Sequence, residues 1–287
     1  MLKWITANGK ELKLKEPYKL LDFEGGGIDN TDIQTQKAPF QNGSTLIDQL
    51  LEDRDIFLEI AILGENRQDI YNKRRKLVSY FNTKAGKGKL VWEQENKSYE
   101  ADAVPEEVSF PGGDGSIGGF QEAIILLSCP DPAWQDIKDT VQSLGLIEGG
   151  LMFPLMLNAD EVQDTVFAQR GEETMIEIEG DLSSPVKLEF QGPAENPKVT
   201  NETTDEFIKI NKALEDNEKL IINTKFGEKS VIFEDNESNR ESAFNRIDLD
   251  SVFFQLKPGK NVISFDSDID KEDARVVITY RNRYAGV

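Results

Sequence analysis

The chain's only cysteine, Cys129, lies in the stretch CPDPAWQD, directly after the apolar run AIILLS. A cysteine thiol becomes a nucleophile when a neighbouring cation or base lowers its pKa. The chain contains no histidine, and no lysine or arginine lies within eight residues of Cys129. The sequence therefore predicts a small buried thiol at the end of a strand rather than a reactive group.

The absence of histidine removes several further chemistries. Ser-His-Asp and Cys-His nucleophiles, the HExxH zinc site and imidazole metal ligands all need an imidazole. Carboxylate and Ser-Lys chemistry remain. Adjacent acids such as Glu106-Glu107 and Glu172-Glu173 could hydrolyse glycosides at the correct separation, but pairs of this kind arise by chance among 53 acidic residues. We therefore expect that the protein is not an enzyme and that it binds no cofactor.

Two further patterns suggest ligand sites and do not complete them. FDSDIDKED (265–273) places Asp266, Asp268 and Asp270 at the alternating positions that open a calcium loop, but Lys271 stands where such a loop needs glycine. The favoured interpretation is an acidic turn between two strands, with cation binding left open. GGDGSIGG (112–119) lacks the GK[ST] ending of a phosphate loop and predicts a flexible loop.

The charge balance excludes several partners. With 33 basic and 53 acidic residues the formal charge is −20, so neither phosphate backbones nor anionic membranes would attract the chain. One cysteine allows no internal disulfide, and no apolar run reaches the length of a membrane span or opens the chain as a signal peptide would. We expect folding in a reducing bacterial cytoplasm, without sequence-specific nucleic-acid binding or membrane insertion.

The first half of the chain predicts short strands, an arm and one helix. An Asn8-Gly9 turn between alternating segments predicts a hairpin. The polar, glycine-rich residues 24–44 predict a loop or extended arm, and DIFLEIAIL (55–63) a strand with Ile56, Leu58, Ile60 and Ile62 on one face. KGKLVWEQ predicts a further strand. FQEAIILLSC predicts the last one, alternating at first and then buried on both sides.

The helix between these strands carries the strongest basic run of the chain. Asn66 is the expected N-cap and Asp69 an acid in the first turn, while Ile70, Leu77, Val78 and Phe81 form an apolar stripe. The opposite side could be a solvated face or a docking face for an acidic partner, including another copy of the chain. The candidate interface residues are Arg67, Lys73, Arg74, Arg75 and Lys76.

The second half reads almost entirely as short strands with turns between them, which predicts a β-sandwich or jelly roll. The prolines in CPDPAW oppose strand continuation, and Trp134 can anchor the exit by packing on the preceding domain. We therefore expect a domain at 1–134, a connector at 135–150 and a second domain at 151–287. The predicted domain junction consists of Cys129, Pro130, Asp131, Pro132 and Trp134.

The order of these elements resembles the distal tail protein (Dit-like) family of long-tailed bacteriophages and prophages. The matching order in the first half is hairpins, arm, strand, helix, KGKLVWEQ and a last strand running into CPDPAW. The matching segments of the second half are GGLMFPL (149–155), SPVKLEFQGPAENPKVTN (184–201), EKLIINT, SVFFQLKPGKNVISF (251–265) and ARVVITYRNRYAGV. Residues 24–44 and the acidity of the second half have no counterpart in the family that we can match.

The resemblance implies a structural protein of the virion. The fold would be mainly β: an N-terminal β-sandwich or split-barrel-like domain with one helix and an arm loop, then a galectin-like β-sandwich (jelly roll). The N-terminal domains would form a ring, usually a homo-hexamer, around the DNA channel at the end of the tail tube. The expected partners are the major tail tube protein, a tail-tip or tail-associated protein and a receptor-binding protein. An acidic channel wall would suit DNA passage because it does not bind phosphates.

Two alternatives belong to other function classes. The first is a carbohydrate-binding adhesin that uses the second domain on the host cell wall, with Phe253, Tyr280 and Tyr284 as candidate stacking residues. The second is a carboxylate hydrolase, which the arguments above disfavour.

Overall fold

Two separate cores organise the chain in the computed structural model, which describes residues 1–28, 31–112, 119–144, 173–268 and 274–287. The first unit comprises residues 1–137 together with 283–287, and the second comprises residues 138–282. Within the described ranges, the one α-helix is too short and too polar to cross a membrane.

Antiparallel strands and one helix make up the first unit. They are β1 (Leu2–Ile5), β2 (Glu11–Lys13), β3 (Tyr18–Glu24), β4 (Thr31–Gln36), β5 (Thr45–Leu51), β6 (Arg54–Leu63), α1 (Arg67–Tyr80), β7 (Gly88–Glu93), β8 (Ser98–Ser109), β9 (Phe120–Cys129) and β10 (Trp134–Asp136). The main sheet has the order β2-β1-β7-β8-β9-β6-β3, and β10 adds to β8.

Residue alternation decides which side of this sheet is buried. Ile56, Leu58, Ile60 and Ile62 of β6 are fully buried, as the two-residue period predicts. The neighbouring β9 alternates buried and half-buried residues as far as Cys129. The expectation that β9 is buried on both sides at its end is therefore wrong, because one face stays partly open.

The predicted N-terminal hairpin is confirmed. β1 pairs with β2 so that Trp4 lies opposite Leu12, and Gly9 in the turn takes a φ of +75°, which suits glycine. Trp4 then stacks on Phe81, the residue at the C-terminal end of α1, with ring centroids 5.2 Å apart. The hairpin and the helix thus share one core.

Of the two forms predicted for residues 24–44, a loop or an extended arm, the structure shows an arm, and it is built as a β-hairpin. β4 pairs with β5, with Thr31 opposite Leu51 and Gln36 opposite Thr45. The ribbon extends beyond residue 44, the predicted end of the arm, and these two strands form a sheet of their own. Local composition did not predict this pairing, because the residues between the strands are mostly polar.

The second unit is a sandwich of antiparallel sheets, as predicted. Its elements are β11 (Thr140–Leu144), β12 (Glu173–Ile178), β13 (Ser184–Gln191), β14 (Ala194–Glu195), β15 (Lys198–Asn201), β16 (Glu206–Lys209), β17 (Ala213–Leu214), β18 (Lys219–Asn223), β19 (Ser230–Glu234), β20 (Arg240–Ser242), a 3₁₀ turn (Phe244–Arg246), β21 (Gln255–Leu256), β22 (Gly259–Asp266) and β23 (Arg275–Tyr280). One sheet has the order β11-β23-β13-β18-β19-β20 and the other β12-β22-β15-β16. Apolar residues of both sheets fill one core.

One predicted strand of the second unit is largely irregular. SVFFQL (251–256) forms a strand only at β21, while Val252 bonds through its N–H to the carbonyl of Phe207, 2.8 Å away. Phe254 is buried and Phe253 packs on the edge of the core. The apolar run therefore reflects burial of side chains and not pairing in a ladder.

The chain leaves the first unit and later returns to it. β10 pairs both with β8 and with the last strand, β24 (Arg283–Tyr284). The two units divide between residues 137 and 138, within the predicted connector 135–150, which also contains β11, and residues 283–287 belong to the first unit. Residues 145–172, including the GGLMFPL segment, lie outside the described residues.

Candidate assembly surfaces

Helix α1 presents the basic residues that the sequence singled out. Asn66 caps it as predicted, because its side chain accepts a hydrogen bond from the backbone N–H of Asp69 at 3.0 Å. Ile70 and Leu77 are buried, but Val78 is 43% exposed, so its predicted place in the apolar stripe is wrong. An exposed valine beside basic residues makes this face partly apolar.

Two of the five basic residues, Lys73 and Arg74, are held by contacts within the first unit. The ammonium of Lys73 bonds to the Asp69 carboxylate at 2.6 Å and to the carbonyl of Leu63 at 2.9 Å. The lysine also lowers the pKa of Asp69, together with a backbone N–H. The guanidinium of Arg74 lies over the ring of Phe110, 4.2 Å from its centroid, which holds it close to the body of the unit.

The remaining basic residues point more freely outward. Arg67 is exposed and donates from Nε to the Tyr71 hydroxyl at 3.0 Å. Arg75 and Lys76 are exposed, adjacent and close in sequence to the exposed Val78. Of the predicted interface residues, Arg75 and Lys76 are therefore the best placed to meet another molecule.

The hairpin of β4 and β5, called the arm below, exposes apolar side chains along its length. Both strands are almost wholly exposed, although large apolar side chains such as leucine and isoleucine are most often buried. The large apolar side chains exposed by about half or more are Ile33 (58%), Leu46 (57%), Ile47 (60%) and Leu50 (50%) on the strands, and the fully exposed Phe40 in the turn between them. The arm contains Asp32 and Asp48 against Lys37, and two further acids, Glu52 and Asp53, follow directly after β5.

A buried arginine fixes the base of the arm, and the sequence analysis missed it. Arg54 is 4% exposed, and its guanidinium donates to the carbonyls of Pro132 at 2.6 Å and Gly25 at 2.8 Å, and also to those of Gly27 and Ala285. It thus joins the segments on either side of the arm, the CPDPAW turn and the C-terminal residues. The two-residue period of the strand predicts its burial, because Arg54 lies on the same inward-facing side as Ile56 and Leu58.

The predicted domain junction is an anchoring structure and not a reactive one. Cys129 is fully buried, and burial raises the pKa of its thiol to about 12, so the thiolate is disfavoured. β9 ends at Cys129, directly before Pro130, as the prolines predict. Asp131 pairs with Arg283, and the buried Trp134 donates from its indole to the carbonyl of Gly25 at 3.2 Å.

A second contact holds the returning C-terminus to the same place. The ammonium of Lys97 donates to the hydroxyl of Tyr284 at 2.8 Å, and this hydroxyl donates to the Asp136 carboxylate at 3.4 Å. The bond with Tyr284 raises the pKa of Lys97, and burial raises the pKa of Tyr284. Because Tyr284 is buried here, it cannot belong to an exposed aromatic platform.

The sheet face turned away from the first core carries carboxylates. Glu59 lies opposite Asp22 in the pairing of β6 with β3, and Glu122 lies on the adjacent β9. A hydrogen bond with Glu122 raises the pKa of Glu59, with further contributions from the charges of Glu122 and Asp22. Asp22, Glu59 and Glu122 thus make this side of the sheet locally acidic.

The described members of the other candidate ligand groups do not assemble into a site. Asp268 accepts a hydrogen bond from the Asn196 amide at 2.8 Å, and Asp270 lies outside the described residues. No cluster of three or more potential metal ligands occurs in the described part of the chain. Tyr280 is buried, like Tyr284, and Phe253 is half-buried. The two tyrosines therefore do not form the predicted stacking platform.

Comparison with known families gives two matches along the chain. Residues 7–127 match the phage tail protein RIFT-related domain, and residues 179–284 match the siphovirus-type tail component, C-terminal domain. Together the matched ranges cover most of the chain. A search of curated proteins found no match.

Solved structures with a similar fold come from phage tails and baseplates. The Dit protein of phage SPP1, described as a paradigm of hub adsorption apparatus in phages that infect Gram-positive bacteria, matches with a TM-score of 0.70 at 10% identity over 99% of each chain. A chain of the phage P2 baseplate activated with calcium matches with 0.57 at 11% identity over 100% of each chain. The phage p2 baseplate activated with strontium gives 0.55 at 12%, over 97% of this chain and 98% of that one. At these identities the likeness concerns the fold.

Proposed function

We infer the role of this chain from its family, since it belongs to the Dit-like siphovirus tail components, with a tail RIFT-related domain followed by the C-terminal domain of these proteins. It is a structural protein of the phage tail or baseplate hub. We propose that copies of it close into a homo-oligomeric ring, a hexamer by family resemblance. The ring would join the tail tube to the tail-tip or receptor-binding apparatus in the virion.

The observation that carries the ring proposal is the arm. A two-stranded ribbon is marginally stable by itself in water, and exposed apolar side chains on both of its strands cost hydration free energy. A neighbouring copy that covers Ile33, Leu46 and Ile47 would remove this cost. A contact between unlike surfaces of identical copies generates a closed ring when the rotation permits it.

Helix α1 is the surface of the neighbour that best complements the arm. The arm carries exposed apolar side chains and acidic residues, while α1 exposes the adjacent basic residues Arg75 and Lys76, with Val78 one turn after Arg75. Opposite charges at such a contact fix the orientation and select the partner more than they add affinity. We therefore place the arm of one copy against α1 of the next.

Charge reversal tests this pairing. Arg75→Glu with Lys76→Glu should reduce the ring to smaller species in native mass spectrometry, and Asp48→Lys in the same chain should restore part of it. Reversal of Arg74 with Arg75 should act in the same direction, although Arg74 also packs on Phe110. Lys260→Glu, an exposed site in the second unit, is the matched control. A ring of unchanged mass in the double variant would refute the pairing.

The acidic face of the first unit supports a proposal about the channel. We propose that Asp22, Glu59 and Glu122 face the DNA path, where carboxylates would repel phosphates and let DNA pass without binding. Electron cryomicroscopy of the assembled ring tests this directly. A channel wall lined by lysine and arginine would contradict it.

A further inference from the structure

An aromatic–lysine patch lies on the second unit, defined by Phe226, Lys229, Phe244 and Phe253. Phe226 is 81% exposed in the turn between β18 and β19, and Phe244 is 46% exposed in the 3₁₀ turn. The rings of Phe244 and Phe253 stack with centroids 5.7 Å apart and planes 15° from parallel. Three phenylalanines thus gather at the surface of a polar, acidic chain.

Lys229 ties the patch together. Its ammonium lies 4.8 Å from the ring centroid of Phe226 and 5.4 Å from that of Phe253, close enough for cation–π attraction to both rings. The charge therefore stands in the middle of an apolar surface, where a partner that excluded water would strengthen its attraction for an anion.

The backbone under the patch is firmly held. Phe253 packs against the core of the second unit, and the N–H of Val252 bonds to the carbonyl of Phe207 at 2.8 Å. The hydroxyl of Ser251 also accepts a hydrogen bond from the backbone N–H of Lys209 at 2.9 Å. Since these residues are already ordered, binding here would cost little conformational entropy.

We propose that the patch docks an acidic polypeptide segment of another protein, with an apolar side chain placed on the phenylalanines and a carboxylate on Lys229. Exposed aromatic residues that gather with a cation are typical of the energetic centre of a protein interface. A sugar site needs several converging polar groups beside its aromatic face, whereas the contacts that define this patch join three phenylalanines and one lysine. This docking site goes beyond the ring and does not depend on arm contacts.

The test uses the full chain and a defined probe. The probe is a fluorescein-labelled peptide of alternating Phe, Leu, Asp and Glu, compared with one that has Lys in place of the acids and one that has Ser in place of Phe and Leu. Fluorescence anisotropy at low salt should show saturable binding of the acidic apolar peptide alone, with a Kd below about 1 mM. High salt should weaken it through screening.

Variants locate the binding. Lys229→Glu and Phe226→Ser should each weaken the peptide affinity by about tenfold or more, the scale of a hot-spot contact. Lys260→Glu should leave it unchanged, and neither patch variant should alter the ring mass. A failure of ring formation with peptide binding intact would overturn the proposed function alone.

Three results would overturn the docking proposal. The first is equal peptide affinity in the wild type and both patch variants, or no saturable binding. The second is binding of cell-wall oligosaccharides that the patch variants abolish. The third is self-association of the full chain that Phe226→Ser abolishes, which would make a second copy the occupant.

Discussion

The arm and the ribbon of β6 with β9 differ in what covers their apolar side chains. Both are antiparallel pairs that carry large apolar residues, although only β6 and β9 alternate them regularly. Leu58 of β6 is fully buried, whereas Leu46 of the arm is 57% exposed. The difference teaches that large apolar side chains on a ribbon mark a surface for contact, while the chain's own fold decides whether the contact partner lies in the same copy.

The largest effect should come from the anchor at the base of the arm. Arg54→Ala removes the donors of several buried carbonyls, so it should lower the free energy of unfolding by about 3–5 kcal/mol. Urea denaturation measures this, with the exposed Arg75→Ala as control at less than about 0.5 kcal/mol. A cost below about 1 kcal/mol for Arg54→Ala would show that the anchor is unimportant.

The paired ribbons themselves provide the next comparison. Leu58→Ala should destabilise the chain by about 2–5 kcal/mol, because it leaves a cavity in the first core. Leu46→Ala in the arm should cost less than about 0.5 kcal/mol under conditions where the protein is monomeric. Similar costs at both sites would mean that the arm is packed within its own copy.

The smallest effect concerns the acidic face and its pH dependence. The raised pKa of Glu59 means that the folded state binds a proton on this carboxylate more tightly than the unfolded state does. Protonation of Glu59 therefore stabilises the fold below its ordinary pKa near 4.5, and this contribution is lost as the pH rises through the raised pKa. Glu59→Gln should therefore raise the melting temperature at pH 8 by a few degrees at most, and not at pH 4. Adding Glu122→Gln to Glu59→Gln should raise the melting temperature at pH 8 little further, since the first change already removes the repulsion between the two carboxylates. A gain that is equal at both pH values would contradict the coupling.

Local signals predicted much of the fold. The Asn-Gly turn, the Asn66 cap and the alternation in β6 depend on residues that are close in sequence, and each is present in the structure. The mainly β fold with one helix and the structural tail role were also predicted, the latter through the family resemblance. Local geometry is enough to predict the turn, the cap and the alternation, and the order of the sequence segments is enough to indicate the family.

Nonlocal contacts account for what the sequence did not reveal. The arm hairpin pairs residues across a polar turn, and the C-terminal strand β24 joins β10 from 148–150 residues away, as Tyr284 does with Asp136. The alternation of β6 predicts that Arg54 faces inward. Its carbonyl partners could not be predicted, because they come from three separate segments. The predicted interface residues on α1 are placed by the structure, and their role in assembly stays a prediction.

The mass of the protein in solution tests the central claim, that the arm holds neighbouring copies together. Native mass spectrometry should compare the wild type with the variant Ile33→Ser, Leu46→Ser and Ile47→Ser, with Phe226→Ser as the control. The account predicts a ring for the wild type and the control, and a folded 32.3 kDa monomer for the arm variant. A ring of the same mass in the arm variant would contradict it.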